Sequence, residues 1–166
     1  MNTELIILVV EDEPEVLDAI VRDIELFEPT FRIEATQSAE EARELLDEIK
    51  EQDNRVALIL CDHVLTGESG VDFMTELPDS APTKGIRKIL ITGQAGHDDT
   101  IKAINKAGLH HYTAKPWKPE ELQKVVRDEL TQFIINQHLN PLPVMGVLNA
   151  GELSDFLRTS SQLTDL

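Results

Sequence analysis

Three carboxylates, one hydroxyl and one ammonium stand just past short apolar runs in this chain. Glu11 and Asp12 follow residues 5–10, Asp62 follows 57–61, Thr92 follows 86–91, and Lys115 with Pro116 comes just after 110–113. Carboxylates gathered in one place repel each other, so unless a cation sits among them at least one must protonate. A hard divalent ion meets that need. Mg²⁺ suits it better than a softer metal, because every offered ligand is an oxygen and no His or Cys pair stands at ligand spacing. Lys115 adds a fixed positive charge. Such a set can stabilise a transferring phosphoryl group by charge, with a carboxylate as nucleophile and an acyl phosphate as product.

These residues meet only if the runs that precede them are strands of one sheet pointing the same way, since ligands of open parallel sheets bind at the carboxyl ends of the strands. The remaining pattern agrees. Apolar runs at 5–10, 31–35, 57–61, 86–91 and 110–113 alternate with helical periodicity, as expected for a parallel sheet covered on both faces. Val16, Leu17, Ile20, Val21 and Ile24 form one helical stripe; Ala42, Leu45, Leu46 and Ile49 form a second. Pro14 suits a helical first turn, Ser38 with Glu41 reads as a capping box, and Gly108 can end a helix beginning near Asp98. A last helix opens at Pro119-Glu120-Glu121 and carries Leu122, Val125, Val126, Leu130 and Phe133 inward to about Gln137.

Asn140-Pro141-Leu142-Pro143 breaks any helix. The division expected is a domain over 1–138 and a tail over 139–166. In the tail, Val144, Met145, Val147 and Leu148 cluster, and Leu153, Phe156 and Leu157 fit a short amphipathic helix at 151–159. Such a helix needs a surface to lie on, either its own domain or a second copy, near the last helix; otherwise the segment is a linker.

A chain of 166 residues holds one ordinary domain, without room for a large second one. Its 31 acidic and 15 basic residues give a formal charge of −16, which repels a phosphate backbone and argues against direct nucleic-acid binding. The single cysteine, Cys61, excludes a disulfide framework and reads as a buried, inert thiol. No apolar run approaches the roughly 20 residues of a membrane span, and no basic segment leads into a signal core. A cytoplasmic protein without membrane insertion is expected.

Ile7-Leu8-Val9-Val10-Glu11-Asp12-Glu13-Pro14, Asp62 with Gly70 eight residues on, Ile91-Thr92-Gly93 and Ala114-Lys115-Pro116 together resemble the receiver domains of bacterial two-component response regulators, over about 4–137. The resemblance implies a doubly wound α/β fold, flavodoxin-like, with a five-stranded parallel sheet in the order 2-1-3-4-5 and a short C-terminal tail. It implies that Asp62 is the phosphoacceptor and that Glu11 and Asp12 hold Mg²⁺ directly or through water, together with Asp62 and the Val64 backbone carbonyl. Thr92 and Lys115 would contact the phosphoryl oxygens, and Tyr112 falls on the family's switch aromatic. The donor would be a sensor histidine kinase or a phosphotransfer protein. Apart from its own aspartyl phosphorylation and dephosphorylation, no enzymatic activity is implied.

Two positions depart from the family pattern. Glu11 replaces the commoner aspartate and lengthens its reach. Thr66 stands where proline is usual, so the loop after Asp62 is expected to be less rigid. Neither change removes a group the reaction needs. Val64, two residues after Asp62, is apolar and cannot orient an attacking water, which implies slow hydrolysis.

Other conspicuous residues receive plainer readings. His63, His97, His110, His111 and His138 lack ligand spacing and are assigned no role. Trp117 is expected to pack against the start of the last helix, with partner contact as the alternative, and Glu40, Glu41, Glu44, Asp47 and Glu48 form a solvated helix face. The expected output is a changed surface on the fourth helix, fifth strand and fifth helix, which controls a protein partner or self-association. The alternative is a receiver fragment of a larger regulator whose enzymatic output module is absent.

Overall fold

The computed structural model describes residues 3–93 and 105–160. Five strands, β1 (Leu5–Val10), β2 (Arg32–Thr36), β3 (Arg55–Cys61), β4 (Arg87–Thr92) and β5 (His111–Ala114), pair in parallel in the order β2-β1-β3-β4-β5. The helices are α1 (Pro14–Ile24), α2 (Ala39–Glu51), α3 (Gly70–Glu76), helical residues 105–107 (α4), α5 (Pro119–Asn136) and α6 (Ala150–Thr159). This is the doubly wound, flavodoxin-like arrangement expected from the sequence.

The uninterrupted apolar character of β1 follows from its central place, where both faces are covered. Successive side chains leave on opposite sides, so Leu5, Ile7 and Val9 join α1 and α5 in one core, while Ile6, Leu8 and Val10 join α2 and α3 in the other. β3 divides likewise, with Leu58 and Leu60 in the first core and Ile59 and Cys61 in the second.

Strand ends differ from expectation by one or two residues. β3 starts two residues earlier, at Arg55, because Arg55 and Val56 pair with Leu5 and Ile6 ahead of a register shift at Ile6/Ile7. β2, β4 and β5 each begin and end one residue later than their apolar runs, so Thr92 is the last residue of β4.

Helix ends obey local chemistry. Pro14 opens α1, and Ser38 Oγ accepts the Glu41 N–H at 3.0 Å; the Glu41 carboxylate reaches back one residue further than a capping box requires, to the Gln37 N–H at 3.1 Å. The helix expected to begin near Asp98 lies largely outside the described residues; Gly108, at φ +67°, follows its helical end at 105–107. Glu40, Glu41, Glu44, Asp47 and Glu48 are all exposed.

Beyond α5 the chain folds back along the same helix. Leu139, Val144, Leu148 and Leu153 are buried in the core shared by α1 and α5. The Asn149 N–H donates to Thr131 Oγ1 at 3.2 Å, Asn149 Nδ2 to Asp128 at 2.9 Å, and Arg127 Nε to the Val147 carbonyl at 3.2 Å. Among the described residues no helix is long and apolar enough to cross a membrane.

Candidate functional site

Strand register brings the chemical residues together. Val10 pairs with Cys61, and the Asp62 N–H donates to the Val10 carbonyl at 3.0 Å, so Glu11 and Asp62 leave neighbouring strands at one level. Thr92 pairs with Ala114, and the Lys115 N–H donates to the Thr92 carbonyl at 3.2 Å, which brings the lysine in from the edge strand. All of these are carboxyl ends of strands, the edge at which open parallel sheets bind ligands.

Glu11, Asp12 and Asp62 each present a carboxylate oxygen, and these oxygens lie within 4.8 Å of one another. Asp12 is half-buried, whereas Glu11 and Asp62 are 0% and 3% exposed. The Lys115 ammonium donates to Asp62 Oδ2 at 3.0 Å and closely to Glu11 Oε1. Burial pushes the Glu11 carboxyl up from 4.5 to about 7, although its hydrogen bond from Lys115 and that from the Glu13 N–H pull the other way. Burial alone would lower the lysine; its hydrogen bonds to Glu11 and Asp62 outweigh it, and its pKa is raised.

The donor set fits Mg²⁺. It is all oxygen, compact, short of positive charge and open on the Asp12 side, where a hard cation can keep several waters. Among the described residues no histidine belongs to such a cluster. His110 Nδ1 instead accepts the Lys88 N–H at 2.9 Å, His138 lies near the Phe156 ring, and His97 falls outside the described residues.

The structure places the other candidates as follows. Thr92 is buried at the end of β4. Tyr112 is half-buried against the core on the α2 and α3 side, and its hydroxyl donates to the Thr92 carbonyl at 3.3 Å. The Val64 N–H donates to Asp62 Oδ1 at 3.4 Å, and Val64 bridges Ser69 across the loop. Gly70 passes so close that a Cβ would sit 1.8 Å from the Asp62 carbonyl oxygen. Trp117 packs against the α1 and α5 core, and its indole N–H donates to Asp23 on α1 at 2.9 Å. Cys61 is fully buried, and burial raises its thiol pKa well above the usual value.

Two contacts of the loop after Asp62 carry no mark in the sequence. The Thr66 hydroxyl donates to Asp12 Oδ2 at 3.3 Å, and Arg43 from α2 grips Glu68. Both join residues distant along the chain, and only the fold could reveal them.

Residues 7–127 match the family model of the response regulator receiver domain. The hydrogenase transcriptional regulatory protein HoxA of Cupriavidus necator is 37% identical over 73% of this chain and 23% of its own length. The phosphate regulon transcriptional regulatory protein PhoB of Escherichia coli is 26% identical over 89% of this chain and 58% of its own length. The chain thus spans between about a quarter and somewhat over half of these curated relatives. Among solved structures, the signal receiver domain of an HD domain-containing protein from Pseudomonas fluorescens superposes with a TM-score of 0.67 at 22% identity, covering 80% of this chain and 91% of that one.

Proposed function

The chain belongs to the response regulator receiver family, and from that premise we propose that it is a switch set by phosphorylation of Asp62. The observation that carries this reading is the Lys115 ammonium bonded to both Glu11 and Asp62 inside a cluster of three carboxylates at the strand ends. Glu11, Asp12, Asp62 and the Val64 carbonyl would hold Mg²⁺, which supplies positive charge for the oxygens of the transferring group.

The Asp62 carboxylate is the nucleophile. Its oxygen bonds to phosphorus as the bond from phosphorus to the histidine nitrogen of a sensor kinase or phosphotransfer protein breaks, and the departing imidazole keeps that electron pair. Lys115, already on Asp62 Oδ2, neutralises charge beside the new acyl phosphate, and the Thr92 hydroxyl is the donor for a phosphoryl oxygen. Self-directed transfer of this kind is all the catalysis proposed. The output is a changed surface around β5 and α5, read by a protein partner or a second copy.

The test is labelling from a small phosphodonor, followed by intact mass. The wild type should gain one phosphoryl group with Mg²⁺ and none with a chelator, and Asp62→Asn should gain none. Undiminished labelling of that variant, or indifference to chelator, overturns the assignment.

A second reading, a receiver segment of a larger regulator, is favoured by relatives that extend well beyond the matched region and are named as transcriptional regulators. In it, the output is control of transcription by a separate module rather than an enzymatic one. The formal charge of −16 supports protein contact, not DNA contact, for these residues. The length of the native reading frame separates the two.

A further inference from the structure

For the Val64 carbonyl to join the proposed cation site the loop 63–69 must be held in place, yet it has Thr66 where the resemblance leads one to expect proline, and Gly67 at φ +88°. Something else must fix it. The Gly70 N–H donates to the His63 carbonyl at 2.7 Å, which closes the loop at its base, and Val64 bridges Ser69. The outer part is held by side chains from elsewhere.

We propose that Arg43, on α2, is a positioning residue for the cation site, acting through Glu68. Its guanidinium makes a two-pronged pair with Glu68, at 2.9 Å from Nη1 and 2.5 Å from Nη2. The same group bonds Glu76 at the end of α3 at 3.0 Å and lies over the Phe73 ring, 5.2 Å from its centre. Isolated surface pairs contribute little, because two long side chains must be ordered against competing water. Here the partly exposed guanidinium is shared between two carboxylates and a ring, a network rather than an isolated pair. Glu68 directly precedes Ser69, the residue that bridges Val64, so the pull on its carboxylate reaches the loop backbone that faces Asp62.

Thr66 works from the other end. Its hydroxyl holds Asp12 Oδ2 at 3.3 Å and ties the loop to one of the carboxylates of the cluster. Arg43 and Thr66 together do the work of the missing ring. The inference rests on the cation site proposed above.

Calorimetric titration of the full chain with Mg²⁺, beside urea unfolding without metal, tests it. Arg43→Ala and Glu68→Gln should each weaken Mg²⁺ binding roughly tenfold, the size seen when a partner that orients a metal ligand is lost. Glu76→Gln, which removes only the tie to α3, should leave the affinity essentially unchanged. The exchanged pair Arg43→Glu with Glu68→Arg, made together with Glu76→Gln to remove the like charge facing position 43, should recover most of the loss. A role confined to holding α2 against α3 predicts the opposite order: a lowered urea midpoint for Arg43→Ala and Glu76→Gln, with unchanged Mg²⁺ affinity. That result, or unchanged affinity in both Arg43→Ala and Glu68→Gln while the wild type binds, overturns the proposal. No Mg²⁺ binding by the wild type itself removes the site and this inference together.

Discussion

The Tyr112 hydroxyl and the Lys115 backbone N–H meet on one acceptor, the carbonyl oxygen of Thr92, at 3.3 and 3.2 Å. A ring at the surface of the edge strand is thereby tied to the strand end that carries the proposed phosphoryl contact. On the proposed function, movement of Thr92 towards a phosphorylated Asp62 would disturb this acceptor and so shift the ring. Tyr112→Ala should leave labelling of Asp62 intact and weaken phosphorylation-dependent association several-fold. Light scattering with and without beryllofluoride measures it, and equal association by variant and wild type would defeat the role given to Tyr112.

Glu11 makes the metal-free protein sensitive to pH. Its carboxyl is raised by burial from 4.5 to about 7, so between those values the folded chain keeps a proton that the unfolded chain has released. The stability it contributes is complete below the unfolded value and is lost as pH rises through about 7. Lys115 is raised also, so it stays charged throughout this window and adds no slope there. The thermal midpoint without metal should therefore fall between about pH 5 and 7.5, Mg²⁺ should restore it, and Glu11→Gln should flatten the curve. Mg²⁺ affinity should rise over the same interval, since the cation displaces the proton.

Gly70 admits no side chain. A Cβ there would lie 1.8 Å from the Asp62 carbonyl oxygen and 2.9 Å from Cys61 Sγ, and backbone on both sides is held by hydrogen bonds. Gly70→Ala should cost at least about 3 kcal/mol and move Asp62 away from Lys115. Urea unfolding and phosphodonor labelling should both register the change; normal labelling at normal stability would show the loop to be more yielding than these distances allow.

Residues 139–160 should behave as part of the folding unit. Truncation after Gln137 removes Leu139, Val144, Leu148 and Leu153 from the core and uncovers Thr131, which is fully buried. The loss should be on the order of 5 kcal/mol after the ordering cost of the segment, with binding of an apolar dye. Protection of the 144–157 amides from hydrogen exchange in the intact chain is the companion measurement. Unprotected amides together with an unchanged urea midpoint would reduce the segment to a linker.

Val64 is 50% exposed beside Asp62 and offers no group that could orient water. Val64→Asn should shorten the lifetime of the phosphorylated form several-fold, as followed by loss of label after removal of the donor. A longer lifetime would count against the argument.

The sequence by itself determined which segments are strands and which are helices, because short apolar runs and the 3.6-residue period are local properties; the order of strands in the sheet came from the family resemblance. It also placed Glu11, Asp12, Asp62, Thr92 and Lys115 at strand ends, since each stands at the point where an apolar run gives way to a polar or charged residue. Pro14 and Ser38 were legible for the same reason: a helix terminus is satisfied by its own neighbours. Tertiary structure alone decided what those residues touch. Lys115 reaches Glu11 and Asp62 across 104 and 53 residues, Trp117 reaches Asp23 across 94, and Arg43 reaches Glu68 across 25. Such pairs depend on register between strands and on the direction of long side chains, and neither leaves a period in the chain. The segment after residue 138 was ambiguous on similar grounds, because a short apolar stripe specifies that it must be covered and the fold supplies the cover, here the core shared by α1 and α5.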